Sequence, residues 1–154
     1  MTLKDKIQKE FVEAMKAKNE VAKSALSGLK AKITEAEKAN GNVSLGDTEI
    51  VKVVSSAIKQ RKQSVDAFEL AGRTDLADKE KGEILVLESF LPKQMTEEEI
   101  EKAVREIVSV MTEVATNANA LQGKTMGAFN KAYSGQADSK KVMESIKKVV
   151  AWNQ

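Results

Sequence analysis

The sequence predicts an all-α protein, and three observations support this fold class. Lys and Glu are abundant, and with Ala, Leu and Met they favour helices, whereas aromatic residues make up only 4% of the 154 residues. Apolar residues recur three or four positions apart in seven segments, which is the spacing of one helix face. No segment shows the convincing alternation of apolar and polar residues that is typical of a half-buried strand.

Four of the seven helices are predicted before the only proline, Pro92. Residues that can cap a helix precede the four apolar stripes, in the order Thr2, Asn19, Asp47 and Thr74. The first two stripes are Leu3, Ile7, Phe11, Ala14 and Met15, and then Ala22, Leu26, Leu29, Ile33 and Ala36. The third helix follows Ile50, Val54, Ile58, Val65 and Phe68, and the fourth follows Leu76, Glu80, Ile84, Leu87 and Leu91. Asn40-Gly41 ends the second helix and Gly72 ends the third, so the connections are short enough for a bundle.

The residues around Pro92 predict a break between helices. Proline lacks an amide donor and restricts the residue before it, so the helix that arrives through Leu91 should end there. Thr96 can cap the next helix, and Glu99, three residues later, can complete a capping box. On spacing alone, this break fits a joint between two helical units as well as it fits a tight corner inside one bundle.

Three helices are predicted after the break. The fifth follows Ile100, Val104, Ile107, Val108 and Met111. From Thr112 to Gly123 the apolar pattern fades, which predicts a loop with at most a short turn, and a brief sixth helix follows it through Met126, Phe129 and Tyr133. Asp138 is the predicted cap of the last helix, whose inward positions are Val142, Ile146 and Val149. Trp152 is expected either to cover the end of the core or to make a contact elsewhere.

The composition excludes several classes of site. Without cysteine there are no disulfides, thiolate nucleophiles or zinc–thiolate centres, and without histidine the usual general base and commonest metal ligand are missing. Gly123-Lys124-Thr125 lacks the glycine that a phosphate-binding loop needs at a fixed distance before it. Catalysis would then have to rest on carboxylates, Lys, Tyr, Ser or Thr, and we predict no catalytic residue, cofactor or metal. The charged amino-terminal segment and the absence of an apolar run of about 20 residues predict a cytoplasmic protein outside the membrane.

Basic residues gather in the last predicted helix. Lys140, Lys141, Lys147 and Lys148 outnumber Asp138 and Glu144 there. The two lysine pairs are seven residues apart, close to two helical turns, so they share one side of the helix. Such a side can contact a phosphate backbone, and Lys124 is a further candidate contact. The alternative is an ordinary solvated helix with cations near its C-terminal end.

Two arginines fall at unusual positions. Arg61 lies between Ile58 and Val65 on the apolar stripe of the third helix, where a charge is unfavourable unless it is paired. It is expected to form an ion pair with Glu80 or Glu83 or to extend to the rim of the core, and a phosphate contact is the alternative. Arg73 is expected to bond the last carbonyls of its helix or to pair with Asp75, again with a phosphate contact as the alternative.

Several motifs occur together along nearly the whole chain. They are Ala14-Met15-Lys16-Ala17-Lys18, Leu29-Lys30-Ala31, Lys59-Gln60-Arg61-Lys62-Gln63-Ser64, Phe68-Glu69-Leu70-Ala71-Gly72-Arg73-Thr74-Asp75-Leu76-Ala77, Leu91-Pro92-Lys93-Gln94, Met126-Gly127 and Gly135-Gln136-Ala137-Asp138. In this order and at this spacing they resemble the YqeY-like proteins of the GatB/YqeY family. The motifs that begin at Lys59, Phe68 and Leu91 are, in combination, the most specific for this family.

This resemblance implies an N-terminal four-helix unit, residues 1–94, joined to a three-helix C-terminal unit, residues 95–154. Pro92, Lys93 and Gln94 would form the hinge. The C-terminal unit is similar to the tail of the B subunit of tRNA-dependent amidotransferases, which is associated with holding tRNA. The resemblance thus implies a non-catalytic tRNA-binding or adaptor module, with tRNA, amidotransferase subunits or an aminoacyl-tRNA synthetase as partners.

Two other functions stay open. The protein could be a component of glutamine-dependent amido transfer, a carbon–nitrogen ligase reaction on misacylated tRNA, or a helical protein–protein adaptor without RNA contact. The chain departs from the family pattern at Gln136, Ser139 and Ser27, where arginine, glycine and a basic residue are frequent. These departures predict weak phosphate contact.

Overall fold

The computed structural model describes residues 1–112 and 117–152, the last two of them without their side chains. Seven α-helices and no strand lie within these residues, which confirms the predicted fold class. The helices are α1 (Leu3–Lys16), α2 (Glu20–Ala39), α3 (Asp47–Leu70), α4 (Thr74–Glu88), α5 (Glu97–Met111), α6 (Ala118–Ala132) and α7 (Ser139–Trp152). None of the helices in the described part of the chain is both long enough and apolar enough to cross a membrane.

The chain divides into two compact units, Met1–Leu91 with α1–α4 and Pro92–Gln154 with α5–α7. The first unit has a mainly aliphatic core to which all four helices contribute, and α3 and α4 form its most extensive helix pair. Helices α2 and α4 approach each other closely at Gly82, where an added Cβ would lie 3.3 Å from a methyl group of Val21. A side chain at Gly82 would therefore require the Val21 side chain to shift by a few tenths of an ångström.

Two helix starts in the first unit differ from the predicted ones. Asp47 and Thr74 are the first residues of their helices, and Gly46 and Arg73 hold the cap positions. The Asp47 carboxylate instead accepts a hydrogen bond from the Leu3 amide, so it connects α3 to the start of α1. Thr2 and Asn19 do cap α1 and α2, since their side chains accept hydrogen bonds from amides in the first turn.

The second unit packs α5, α6 and α7 around a small core. Among the side chains that the structure describes there, Phe129 is the largest that is fully buried, and Ile100, Val104, Val108 and Ile146 are buried with it. The predicted capping box is present, because Thr96 Oγ1 accepts from the Glu99 amide while the Glu99 carboxylate accepts from the Thr96 amide. The hydrogen bond that the Glu99 carboxylate accepts from the Thr96 amide, and then one with the Thr96 side chain, hold the pKa of Glu99 below its usual range.

The predicted loop from Thr112 to Gly123 is wrong over its second half. Helix α6 begins at Ala118 and is capped by Asn117, whose Oδ1 accepts from the Ala120 amide at 2.8 Å. Leu121, Thr125 and Phe129 are its buried residues, four positions apart. The threonine in the middle of this stripe interrupts the apolar pattern, which explains why the helix was predicted to begin too late. Residues 113–116 of the predicted loop lie outside the described residues.

The segment that was predicted as a hinge is bonded within the second unit. The Gln94 side-chain amide donates to the carbonyl oxygens of Pro92 and Gly135, both at 2.8 Å. The Met95 amide donates to the carbonyl of Gln136, also at 2.8 Å. These bonds fix residues 94 and 95 to the connection between α6 and α7.

Trypsin is expected to cleave after Lys93 before it cleaves within any helix. Lys93 is exposed and lies between α4 and α5, and exposed segments outside helices are the usual sites of limited proteolysis. Mass spectrometry of a digestion time course identifies the first cut, and Lys93→Gln should abolish it. Early cleavage at helical lysines while Lys93 stays intact would contradict this expectation.

Candidate nucleic-acid interface

Four exposed lysines share one side of α7. Lys140, Lys141, Lys147 and Lys148, which we call the lysine face, all lie in solvent, whereas Val142, Ile146, Val149 and Val150 are buried on the other side. The start of α7 is fixed by Asp138, whose Oδ1 accepts from the Lys140 amide at 2.9 Å. The two pairs lie roughly 10 Å apart along the axis, because each residue of a helix advances about 1.5 Å. An extended phosphate backbone can therefore contact both pairs.

An acidic residue lies at the centre of the lysine face. Glu144 is exposed and is three or four positions from each of the four lysines, so it shares their side of the helix. The carboxylate lowers the positive potential that a phosphate would meet. The spacing in the sequence already contains this information, but counting lysines against acids along the helix does not reveal it.

A second acidic residue reaches the lysine face from α5. Oε1 of Glu101 accepts a hydrogen bond from Nη2 of Arg105 at 2.7 Å and lies 3.6 Å from Nζ of Lys148. The hydrogen bond from Arg105, and then the positive charge of Lys148, hold the pKa of Glu101 below its usual range. Arg105 and Glu101 were not among the predicted site residues. Their spacing predicts a pair within α5, but only the packing of α5 on α7 adds Lys148.

The remaining predicted contact, Lys124, is exposed on α6. It follows Gly123, and an added Cβ on that glycine would meet no atom within 4 Å. The space beside Gly123 is thus open. The predicted side-chain role of Trp152 lies outside the described residues.

Arg61 is paired within the first unit. Its Nη1 donates to Glu80 Oε2 at 3.1 Å and also contacts Glu83 Oε2. Glu83 is only 2% exposed, whereas the side chains of Arg61 and Glu80 are about one-fifth exposed. Nη2 of Arg61 lies beside Gly28, where an added Cβ would be 3.3 Å away. The guanidinium thus joins α3 to α4 and packs against α2, as a structural ion pair requires.

Arg73 forms a bidentate pair with Asp75 across the connection between α3 and α4. Nε and Nη2 of the arginine donate to the two carboxylate oxygens at 3.2 and 3.1 Å. The arginine lowers the pKa of Asp75. Both side chains are more than half exposed, and exposed ion pairs contribute little to stability. Arg73 could therefore exchange this partner for another anion with little loss.

A shallow groove of about 480 Å³ lies between α3 and α4. It is lined by Lys62, Val65, Asp66, Lys81, Ile84 and Leu85. Its lining is mainly apolar, and one of its two lysines, Lys81, already pairs with Glu69 at 2.8 Å. In the part of the chain that the structure describes, no three acidic side chains are placed to hold a metal ion. The lysine face is the stronger candidate for a functional surface.

Comparison with known proteins places the chain in one family. The family model for Yqey-like proteins matches residues 4–150. An uncharacterised protein of Schizosaccharomyces pombe is 35% identical over 86 residues, which cover 56% of this chain and 69% of that protein. Two proteins named "Altered inheritance of mitochondria protein 41, mitochondrial" are also similar. The one from Pyrenophora tritici-repentis is 26% identical over 92% of this chain and 79% of its own length. The one from Lachancea thermotolerans is 28% identical over 81% of this chain and 65% of its own length.

Proposed function

Because the chain belongs to the YqeY-like family, we propose that it is a non-catalytic tRNA-binding or adaptor module similar to the tail of an amidotransferase B subunit. The observation that carries this proposal is the lysine face of α7, with four exposed cations on one side of a short helix. Cations in such an arrangement bind a nucleic acid through its phosphates, without reading its sequence.

We expect recognition of shape and backbone rather than of bases. The base edges of an RNA duplex are poorly accessible in its deep, narrow major groove, so proteins mostly contact its phosphates and 2′-hydroxyls. Glu144 and Glu101 reduce the positive potential, and Gln136 stands where the family often has arginine. The affinity should therefore be weak, roughly micromolar or poorer, which is in the range of non-specific electrostatic binding.

The expected binding is steeply salt-dependent. Four phosphate contacts correspond to a slope of roughly −3 to −4 when the logarithm of the binding constant is plotted against that of the salt concentration. Replacing all four lysines of the lysine face with glutamine should bring this slope close to zero and lower the affinity at low salt by roughly tenfold or more. Fluorescence anisotropy of labelled tRNA at several salt concentrations measures both quantities.

A matched control removes the same charge elsewhere. It replaces four exposed lysines of the first unit with glutamine, namely Lys9, Lys23, Lys52 and Lys79. This control should keep the salt slope of the unmodified protein. Glu144→Gln should bind tRNA more tightly than the unmodified protein does. All variants should show the same helix content by circular dichroism. No tRNA binding by the unmodified protein at low salt, or equal losses in both lysine variants, would contradict the proposal.

The two other functions predict different partners in a purification. A component of amido transfer should co-elute with amidotransferase subunits or an aminoacyl-tRNA synthetase. A protein adaptor should co-purify with other proteins but not with RNA.

The cellular location is a separate question. A cytoplasmic location stays a prediction, since two relatives carry the word mitochondrial in their names.

A further inference from the structure

Three charged groups from two helices meet at the edge of the lysine face. Arg105 Nη2 and Lys148 Nζ both contact the same oxygen of Glu101, at 2.7 and 3.6 Å. Glu101 and Arg105 are one turn apart on α5, whereas Lys148 comes from α7. All three side chains are partly exposed, by 33%, 45% and 61% in the order Glu101, Arg105 and Lys148. A guanidinium and an ammonium group thus converge on one anionic oxygen that solvent can reach.

We infer that this cluster is a phosphate-binding position, in which an RNA phosphate oxygen replaces the Glu101 carboxylate between Arg105 and Lys148. The inference rests on the proposed function and adds to it one phosphate-contacting residue, Arg105, and one competitor, Glu101. It extends the interface from α7 onto α5. The lysine face alone does not include either residue.

The chemistry of the three groups supports this exchange. Arginine and lysine are the side chains that bind phosphate, and charge-assisted hydrogen bonds to its oxygens are short and strong. The carboxylate shows where such an oxygen would lie. Because the ion pairs are exposed, releasing Glu101 loses little stability. The carboxylate and the phosphate cannot occupy the position together, so Glu101 weakens RNA binding for as long as it holds both cations.

A purely structural role for Glu101 makes a different prediction. A glutamate four residues before an arginine stabilises a helix slightly, and this pair alone would explain the contact within α5. In that case the removal of Glu101 would lower the stability of α5 and leave RNA binding unchanged. The contact with Lys148 has no part in this explanation, because it joins a second helix.

The test compares Glu101→Gln with Glu106→Gln in tRNA titrations. Both variants remove one carboxylate of α5 that solvent can reach, but Glu106 is five residues further along and faces a different side of the helix. Glu101→Gln should raise the affinity by roughly threefold or more and make the salt slope more negative by about one, since both cations then neutralise the phosphate with no displaced carboxylate beside it. Glu106→Gln should change the slope by much less.

Two further variants assign the gain to Arg105. Arg105→Gln should lower the affinity of the unmodified protein, and in the Glu101→Gln background it should remove the added slope. Equal effects of Glu101→Gln and Glu106→Gln, in a protein that does bind tRNA, would overturn this inference and leave the proposed function intact. If the unmodified protein binds no tRNA at low salt, the proposed function fails, and the inference falls with it.

Discussion

Arg61→Ala is expected to destabilise the first unit by about 3 kcal/mol, because it leaves a buried carboxylate without its cation. Glu83 is 98% buried, and the other oxygen of its carboxylate, Oε1, has no hydrogen-bond partner among the described residues. The interaction with Arg61 is therefore what compensates the burial of this charge. Removing the arginine also removes the guanidinium group that lies beside Gly28 of α2. Urea denaturation followed by circular dichroism measures the loss.

Two variants separate the charge from other effects. Lys59→Ala removes an exposed cation from the same helix and should change the free energy of unfolding by no more than about 0.5 kcal/mol. Adding Glu83→Gln to Arg61→Ala should recover part of the stability, since the orphaned buried charge is then gone. If Arg61→Ala unfolds like the unmodified protein but binds tRNA less tightly, the arginine contacts phosphate and the structural role is wrong.

Phe129→Ala is expected to unfold the second unit, with a loss of about 4 kcal/mol. Phe129 is 1% exposed, and its ring centre lies 5.0 Å from that of Tyr133. Small domains bury too little apolar surface to tolerate such a cavity, and this core draws on only three helices. Hydrogen exchange of peptides from α5, α6 and α7 should therefore become fast, and the tRNA binding proposed for α7 should disappear.

Phe129→Leu is the matched control for the cavity. It keeps most of the buried volume, so it should lose less than about 1.5 kcal/mol and retain the exchange protection of all three helices. Equal protection in the alanine and leucine variants would mean that Phe129 is not the centre of this core. The comparison also tests the start of α6, because the exchange of residues 118–123 reports on a helical turn that the sequence did not predict.

Helix periodicity alone predicted most of the fold and one side of the candidate interface. The apolar stripes of α5 and α7 consist of residues three or four positions apart, so the exposed position of Lys140 and Lys147 follows from the buried position of Val142 and Val149. The predicted start of α6 was wrong because the same method counts only apolar residues. Its buried Thr125 is polar, and a pattern that counts apolar residues does not recognise it.

Interactions between helices could not be predicted in the same way. The cluster of Glu101, Arg105 and Lys148 depends on how α5 packs against α7, and no spacing along the sequence contains that information. Asp47 illustrates the same limit, because its carboxylate bonds an amide 44 residues away instead of capping its own helix. Arg61 was an exception. A charge on an apolar stripe requires a partner, so its pairing with a neighbouring helix was predictable without knowledge of the packing.

The bonds of Gln94 and Met95 bear on how the chain should be divided for separate study. A recombinant fragment that starts at Met95, where the sequence divides the units, would lack the side-chain amide that bonds the carbonyl oxygens of Pro92 and Gly135. The turn before α7 would lose that anchor, and the first lysine of α7 follows this turn by only a few residues. A fragment that begins at Pro92 retains these bonds. Gene synthesis for the isolated second unit should therefore start three codons earlier than the boundary predicted from the sequence.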